Sequence, residues 1–267
     1  MNGTGVLAHR IDGTGEPLLL LNGGMMTIAS WDAIAAPLAE RYRVVRCDFR
    51  GQLRSPGAPH SDLEGHVADL VALLDALSIE RVHAVGTSFG AEVGLLLAAL
   101  HPERVASLFA AAATDVATPL LRDGRGALQR ECRTAAAGHN RDRLLEVMQA
   151  AFYSPDYVAA HCQELAERAA QIAKLPDWWF AGVADLLASL ENLDLRSYLG
   201  RIACPVLVLA ASGDRVMLLE HARALASAIP AARLEVVEGS GHVLVVEQPE
   251  RFVRSSLDFL ASVPRNV

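Results

Sequence analysis

At 267 residues, 52% of them apolar, the chain is long enough to bury one large α/β core and an insert. Its formal net charge of −7 argues against nucleic acid or an anionic membrane as partner. No stretch approaches the run of about twenty apolar residues that crosses a bilayer, and Met1-Asn2-Gly3-Thr4-Gly5 has neither the basic nor the apolar region of a secretory signal. The four cysteines, Cys47, Cys132, Cys162 and Cys204, are scattered, and the nine histidines never pair at His-x-x-x-His spacing. No metal site is expected, and a reducing cytoplasmic setting is.

In chain order, Val6–Ile11 reads as an edge strand and Asp12-Gly13-Thr14-Gly15 as a turn. Pro17–Leu21 is a continuous apolar run, the mark of a strand covered on both faces. It stops at Asn22-Gly23-Gly24-Met25-Met26. A helix is expected over 28–40, a strand over 43–47, and then the loop Asp48-Phe49-Arg50-Gly51. Ser61-Asp62-Leu63-Glu64 reads as a capping box, with Ser61 at the N-cap of the next helix. Val82–Thr87 is a strand and Ala91–Leu100 a helix, with Val105–Ala113 the strand after it. From 117 to 198 no strand is expected, only helical patterns over 120–136, 141–151, 157–175 and 177–190. Alternation resumes with strands at 206–211 and 234–238 and helices at 218–229 and 249–260. Strand-helix alternation of this kind implies a mostly parallel, doubly wound sheet with helices on both faces. The expected organisation is an α/β core of residues 1–116 and 199–267, with a helical lid over 117–198.

The chemistry centres on Gly86-Thr87-Ser88-Phe89-Gly90. A serine between two glycines, at the turn from a buried strand into a helix, is the pattern of a nucleophile elbow. A side chain at either glycine would clash in so tight a reversal. An exposed serine is a weak nucleophile and needs a base and an acid behind that base. Such groups stand at the C-terminal ends of parallel strands. His242, in Gly239-Ser240-Gly241-His242 after the last strand, is the best placed histidine for the base. Asp214 and Asp115 each follow a strand, and either could be the acid.

With these motifs the chain resembles the α/β-hydrolase fold family, above all its lidded esterase, lactonase and cofactor-free haloperoxidase-like members. The resemblance rests on Asn22-Gly23-Gly24 with Trp31, Asp48-Phe49-Arg50-Gly51 with Ser55, the Ser88 elbow, Asp214, Gly239-Ser240-Gly241-His242, and Glu247-Gln248-Pro249-Glu250. It implies an eight-stranded-type sheet and a Ser88, Asp214, His242 triad. The 28 positions from Asp214 to His242 are similar to the spacing in such relatives and favour Asp214 over Asp115. Matching Asn22-Gly23 to the family's His-Gly makes the backbone N–H groups of Gly24 and Phe89 the expected oxyanion hole, with Met25 as the second choice for Gly24. Met25, Met26, Trp178, Trp179 and Val243 are the expected pocket lining. The departures are Asn22 for the usual histidine, Leu53 and Ala211 for usual glycines, and no proline after Asp214.

The implied activity is a cofactor-free serine hydrolase cleaving a carboxylic ester or lactone of a small, largely apolar molecule. The same triad could serve a C–C hydrolase, a thioesterase or a perhydrolase, or remain on a slow-turnover ligand-binding signalling protein. No nucleic-acid or membrane partner is expected, and a homodimer stays open.

Overall fold

The computed structural model describes residues 6–264. Seven strands form one sheet in the order β1-β3-β2-β4-β5-β6-β7. They are β1 (His9–Asp12), β2 (Glu16–Leu21), β3 (Tyr42–Cys47), β4 (Val82–Thr87), β5 (Val105–Ala111), β6 (Val206–Ala211) and β7 (Ala232–Val237). Only β1 runs antiparallel, against β3; every other pairing is parallel. Among the described residues one antiparallel strand precedes β2, so the sheet has one strand fewer than the eight-stranded pattern. β5 ends at Ala111 rather than Ala113, because Ala112 turns to φ 49°.

The helices are α1 (Asp32–Ala39), α2 (Leu63–Ala76), α3 (Phe89–Leu100), α4 (Pro119–Ala136), α5 (Arg141–Phe152), α6 (Pro155–Ala160), α7 (Cys162–Ile172), α8 (Asp177–Ala188), α9 (Arg196–Leu199), α10 (Leu219–Ala228), α11 (Leu244–Glu247) and α12 (Pro249–Ser262). Two layers of helix sandwich the sheet. Successive strand residues point to opposite faces, so Leu19 and Leu21 join a core with Val67 and Leu70 of α2 and Val93 and Leu96 of α3. Leu18 and Leu20 point the other way, to Trp31, Ile34 and Leu38 near α1 and Phe252 and Phe259 of α12. Burial on both faces explains why β2 reads as four leucines in a row.

Three local expectations change. Residues 28–31 form a 3-10 turn before α1. The N-cap of α2 is Asp62, not Ser61, and its carboxylate accepts the Gly65 N–H at 2.9 Å. The single helix expected over 157–175 is two. Ser154 caps α6 ahead of Pro155, and the chain breaks at His161, whose backbone N–H and ring Nδ1 both engage the Tyr157 carbonyl. Cys47 lies in β3, and Cys204 lies two residues before β6. All four cysteines are free, and burial pushes the Cys47, Cys132 and Cys204 thiols up. Among the described residues no helix is long and apolar enough to cross a membrane.

Helices α4 to α9 lie between β5 and β6. They have their own apolar cluster, with Leu128 and Cys132 of α4, Leu144 and Met148 of α5, and Trp179, Phe180 and Val183 of α8. A narrow neck closes the insert. The Ala117 N–H donates to the Leu193 carbonyl (2.8 Å) and the Leu195 N–H to the Asp115 carbonyl (2.7 Å). A buried ion pair joins insert to sheet layer: Arg125 of α4 donates to the Glu92 carboxylate of α3 at 2.8 Å and to the Leu190 carbonyl at 3.2 Å. Burial pushes the Glu92 carboxyl up, while the Arg125 guanidinium acts to hold it charged.

Removing one member of such a pair strands the other charge. Arg125→Ala is expected to destabilise the fold by about 3–5 kcal/mol in urea unfolding. Adding Glu92→Gln, which removes the orphaned charge, is expected to recover part of that loss.

Candidate active site

All the parallel strands end on one side of the sheet, and the connections reverse direction between β2 and β4. This is the switch point where α/β sheets open a crevice. Four loops meet there: Asn22–Met26 after β2, the Ser88 turn after β4, Asp214 after β6 and His242 after β7. Because Leu21 pairs with Gly86 across β2 and β4, the first two loops are neighbours by register.

Ser88 sits at φ 51°, ψ −123°. That conformation costs a residue with a side chain on the order of 1–3 kcal/mol. The surroundings hold it there. Ser88 N–H donates to the Ala111 carbonyl at 2.9 Å, and the Ser88 carbonyl accepts from Ala91 and Glu92 at 2.9 and 3.0 Å. A Cβ on Gly86 would lie 2.7 Å from the Gly90 carbonyl oxygen, and one on Gly90 would lie 2.3 Å from that of Leu21. The elbow is therefore packed against the end of β2 as well as against itself.

The raised hydroxyl meets an imidazole. His242 Nε2 is 3.1 Å from Ser88 Oγ, and its Nδ1 is 2.9 Å from Asp214 Oδ2. Both His242 and Asp214 are buried. Facing a carboxylate, Nδ1 carries the proton, which leaves Nε2 as the acceptor for the serine. The other Asp214 oxygen accepts the N–H groups of Val216 and Met217, each at 2.8 Å, so the carboxylate cannot swing away. Asp115 is buried in the neck of the insert and is not the partner of His242.

Phe89 opens α3, so its N–H points out of a helix N-terminus. A Cβ on Gly24 would come within 3.9 Å of Phe89 Cβ, which puts the two residues side by side. Among the described residues no protein acceptor takes either N–H. A buried polar network fixes the Gly24 loop. Trp31 Nε1 donates to Asn22 Oδ1 (2.7 Å), and Asn22 Nδ2 donates to Asp48 (3.1 Å) and Gln52 (2.9 Å). Gln52 Nε2 in turn donates to the carbonyls of Gly23 (2.9 Å) and Gly24 (3.3 Å). Burial pushes the Asp48 carboxyl up, and the N–H groups of Arg54 and Ile28 oppose that rise. Gln52 escaped the sequence reading; its one trace was a polar residue following Arg50-Gly51. Arg50 pairs bidentately with Asp69 of α2 at 3.0 and 2.7 Å, as a loop brace.

The expected pocket residues separate. Met25 is half-buried and packs against the apolar cluster of the insert, whereas Met26 packs with Trp31 on the α1 and α12 side. Trp179 is only 1% exposed inside that insert cluster, while its neighbour Trp178 is 41% exposed at the surface. Val243 is half-buried, next to His242. Alternation along α8 decides between the two tryptophans, and composition could not. Among the described residues no group of three or more His, Cys, Asp or Glu could hold a metal ion.

The profile of the alpha/beta hydrolase fold matches residues 16–249. The chain belongs to the α/β-hydrolase fold family. It is 31% identical, over 94% of its length and 96% of the relative's, to a Pseudomonas savastanoi protein provisionally named carbamate hydrolase RutD. It is also 31% identical to the 2-hydroxy-6-oxo-2,4-heptadienoate hydrolase of Pseudomonas putida, over 94% of this chain and 91% of that one. Among solved structures, the enol-lactonase from Burkholderia xenovorans LB400 superposes with a TM-score of 0.84 at 25% identity, covering 96% of each chain. These relatives make the chain a hydrolase.

Behind Phe89 lies His66 of α2, fully buried, its ring edge-on to those of Phe49, Phe89 and His60. Burial first, then the neighbouring His60, lowers its pKa from 6.5 to about 4. Between those values the unfolded chain binds a proton that the native state refuses, so stability falls as pH drops through this window. At 1.36 kcal/mol per unit, the His66 contribution is about 3 kcal/mol. Urea unfolding at pH 7 and pH 4.5 should show His66→Phe losing less stability on acidification than wild type. Equal losses would assign the acid sensitivity elsewhere.

Proposed function

We propose that this chain is a serine hydrolase that cleaves a carboxylic ester or lactone of a small, largely apolar substrate through an acyl-enzyme. The observation that carries the reading is the unbroken hydrogen-bonded series from Ser88 Oγ through His242 to Asp214 Oδ2. His242 takes the Ser88 proton as Oγ attacks the carbonyl carbon. Asp214 stabilises the imidazolium, and the protonated ring then delivers its proton to the leaving alkoxide. The tetrahedral oxyanion lies between the N–H groups of Phe89 and Gly24, donors already in place before reaction. Water, activated by the same imidazole, releases the acyl group. The helical insert acts as a lid over the site, and Met25 and Val243 are its nearest apolar wall. Four free cysteines fit a reducing cytoplasmic setting.

A second reading has its own support. The Pseudomonas putida relative is named for hydrolysis of a 2-hydroxy-6-oxo-dienoate, so a C–C bond beside a ketone is the next substrate class for the same groups. A panel of esters, lactones and β-diketones separates the two readings by which class gives the highest kcat/KM.

A fluorophosphonate probe is expected to label wild type and not Ser88→Ala, and labelling that survives the substitution would overturn the assignment. With p-nitrophenyl acetate, Asp214→Asn is expected to lower kcat by on the order of 10⁴-fold, as loss of the orienting carboxylate does in serine hydrolases. Asp115→Asn should leave kcat close to wild type; the reverse ranking would move the acid to Asp115.

A further inference from the structure

The seam between the insert and the His242 loop is built around one carboxylate that the chemistry above does not use. Glu247 ends α11, half-buried. Both of its oxygens lie 3.1 Å from the N–H of Gly241, the residue before His242. The same carboxylate accepts the Ser154 N–H at 3.0 Å and the Ser154 hydroxyl at 2.6 Å. Ser154 belongs to the insert, 93 positions away, and its hydroxyl oxygen also caps α6 by accepting the Tyr157 N–H. Hydrogen bonds to an ionised acceptor are about twice as strong as neutral ones, and here three donors from two distant segments share one.

The neighbouring contacts run the same way. The Phe152 carbonyl of the insert accepts the His242 N–H at 2.7 Å and the Val243 N–H at 3.3 Å. The Phe152 ring lies 5.4 Å from the imidazole. Arg215, adjacent to Asp214, donates to the Tyr153 carbonyl at 2.8 Å. Space at the junction is exhausted: a Cβ on Gly241 would lie 2.6 Å from the Phe152 carbonyl oxygen and 2.8 Å from both Glu247 Oε1 and the Ser154 nitrogen. Residues 152–154 thus hold the backbone that carries His242 and touch the loop that carries Asp214.

We propose that Glu247 is a positioning residue that makes the placement of His242 depend on the seating of the insert. It acts through Gly241 and Ser154 and touches no substrate. The proposal rests on the Ser88, His242, Asp214 reading. Without the carboxylate, the Gly241 and Ser154 N–H groups lose their common acceptor, and nothing binds the His242 loop to Ser154. A displacement of about 1 Å at a reacting group can cost on the order of 100-fold in rate.

The test uses full-length protein and p-nitrophenyl acetate, an ester small enough to ask little of the insert. Glu247→Gln keeps the size but sets an NH₂ donor against backbone donors. It is expected to lower kcat about 100-fold with KM nearly unchanged, and to shift or broaden the low-field proton resonance of the His242–Asp214 hydrogen bond. Glu247→Asp, shorter but charged, should recover part of the kcat. Ser154→Ala removes only the hydroxyl bond and should lower kcat in the same direction by less; it is the deciding variant if Glu247→Gln does not fold. A folded Glu247→Gln, or failing that a folded Ser154→Ala, with wild-type kcat and an unmoved resonance would overturn the proposal, as would a change confined to KM. Ser88→Ala run alongside separates the two failures: turnover that survives it sinks the triad reading itself, whereas a dead Ser88→Ala beside unaffected Glu247 and Ser154 variants sinks only the role of Glu247.

Discussion

The backbone of Ser88 is the constraint on which the rest of the site depends. A residue with a side chain resists positive φ, and Ser88 holds it at the point where β4 becomes α3. Nothing local favours that geometry. It persists because Gly86 and Gly90 let the turn close on itself and on the carbonyl of Leu21, and because β5 takes the Ser88 N–H through Ala111. The strained residue is therefore held by β2 and β5, the strands on either side of β4, as well as by the turn's own contacts. It does two things at once: it lifts Oγ clear of the sheet and it leaves the Phe89 N–H free at the start of a helix.

The groups around that turn show how much polar structure a rigid hydroxyl requires. Asn22, Asp48 and Gln52 are all fully buried, and a buried polar group is costly unless it is hydrogen-bonded. Each is paired, and the last link of the network ends on the carbonyls of Gly23 and Gly24. Those peptides are planar, so fixing a carbonyl also fixes the direction of the N–H that follows it. On the far side, Asp214 spends one oxygen on the backbone of Val216 and Met217 and keeps the other for His242. Both sides are thus fixed by hydrogen bonds to the backbone.

The fold was legible because its signals are short in range. Four successive leucines in β2, a glycine-bracketed serine and a strand-helix rhythm on both sides of the insert each follow from burial or turn geometry within a few residues. His242 was legible for a different reason: parallel sheets deliver such groups at strand ends, so topology stood in for distance. Topology left Asp214 level with Asp115, and only the resemblance's spacing to His242 favoured Asp214. What escaped was decided by contacts between distant segments. Gln52 matters through Gly23 and Gly24, Glu247 through Ser154, and Glu92 through Arg125; no spacing rule links those pairs. The helix break at His161 was hidden because it lies in the backbone of one residue, at φ −125° and ψ 31°, inside an otherwise helical pattern. Trp178 and Trp179 are adjacent in sequence, and only the orientation of α8 sends one to solvent and the other into the insert.

The insert is not held evenly. Its anchored edge runs through Arg125 to Glu92 on α3, through the neck at Ala117 and Leu195, and through residues 152–154 to the His242 loop. Helices α6 and α7 bury one side chain between them, Leu165, and α6 is tied at its start through Ser154. Local opening is cheapest where little apolar surface is buried, which within the insert favours α7, the helix beyond the Ser154 tie. An insert held in this way has residues 152–154 bonded to the His242 loop, with α7 beyond that seam. Glu247 joins the two, bonded on one side to the residue before His242 and on the other to Ser154 of the insert.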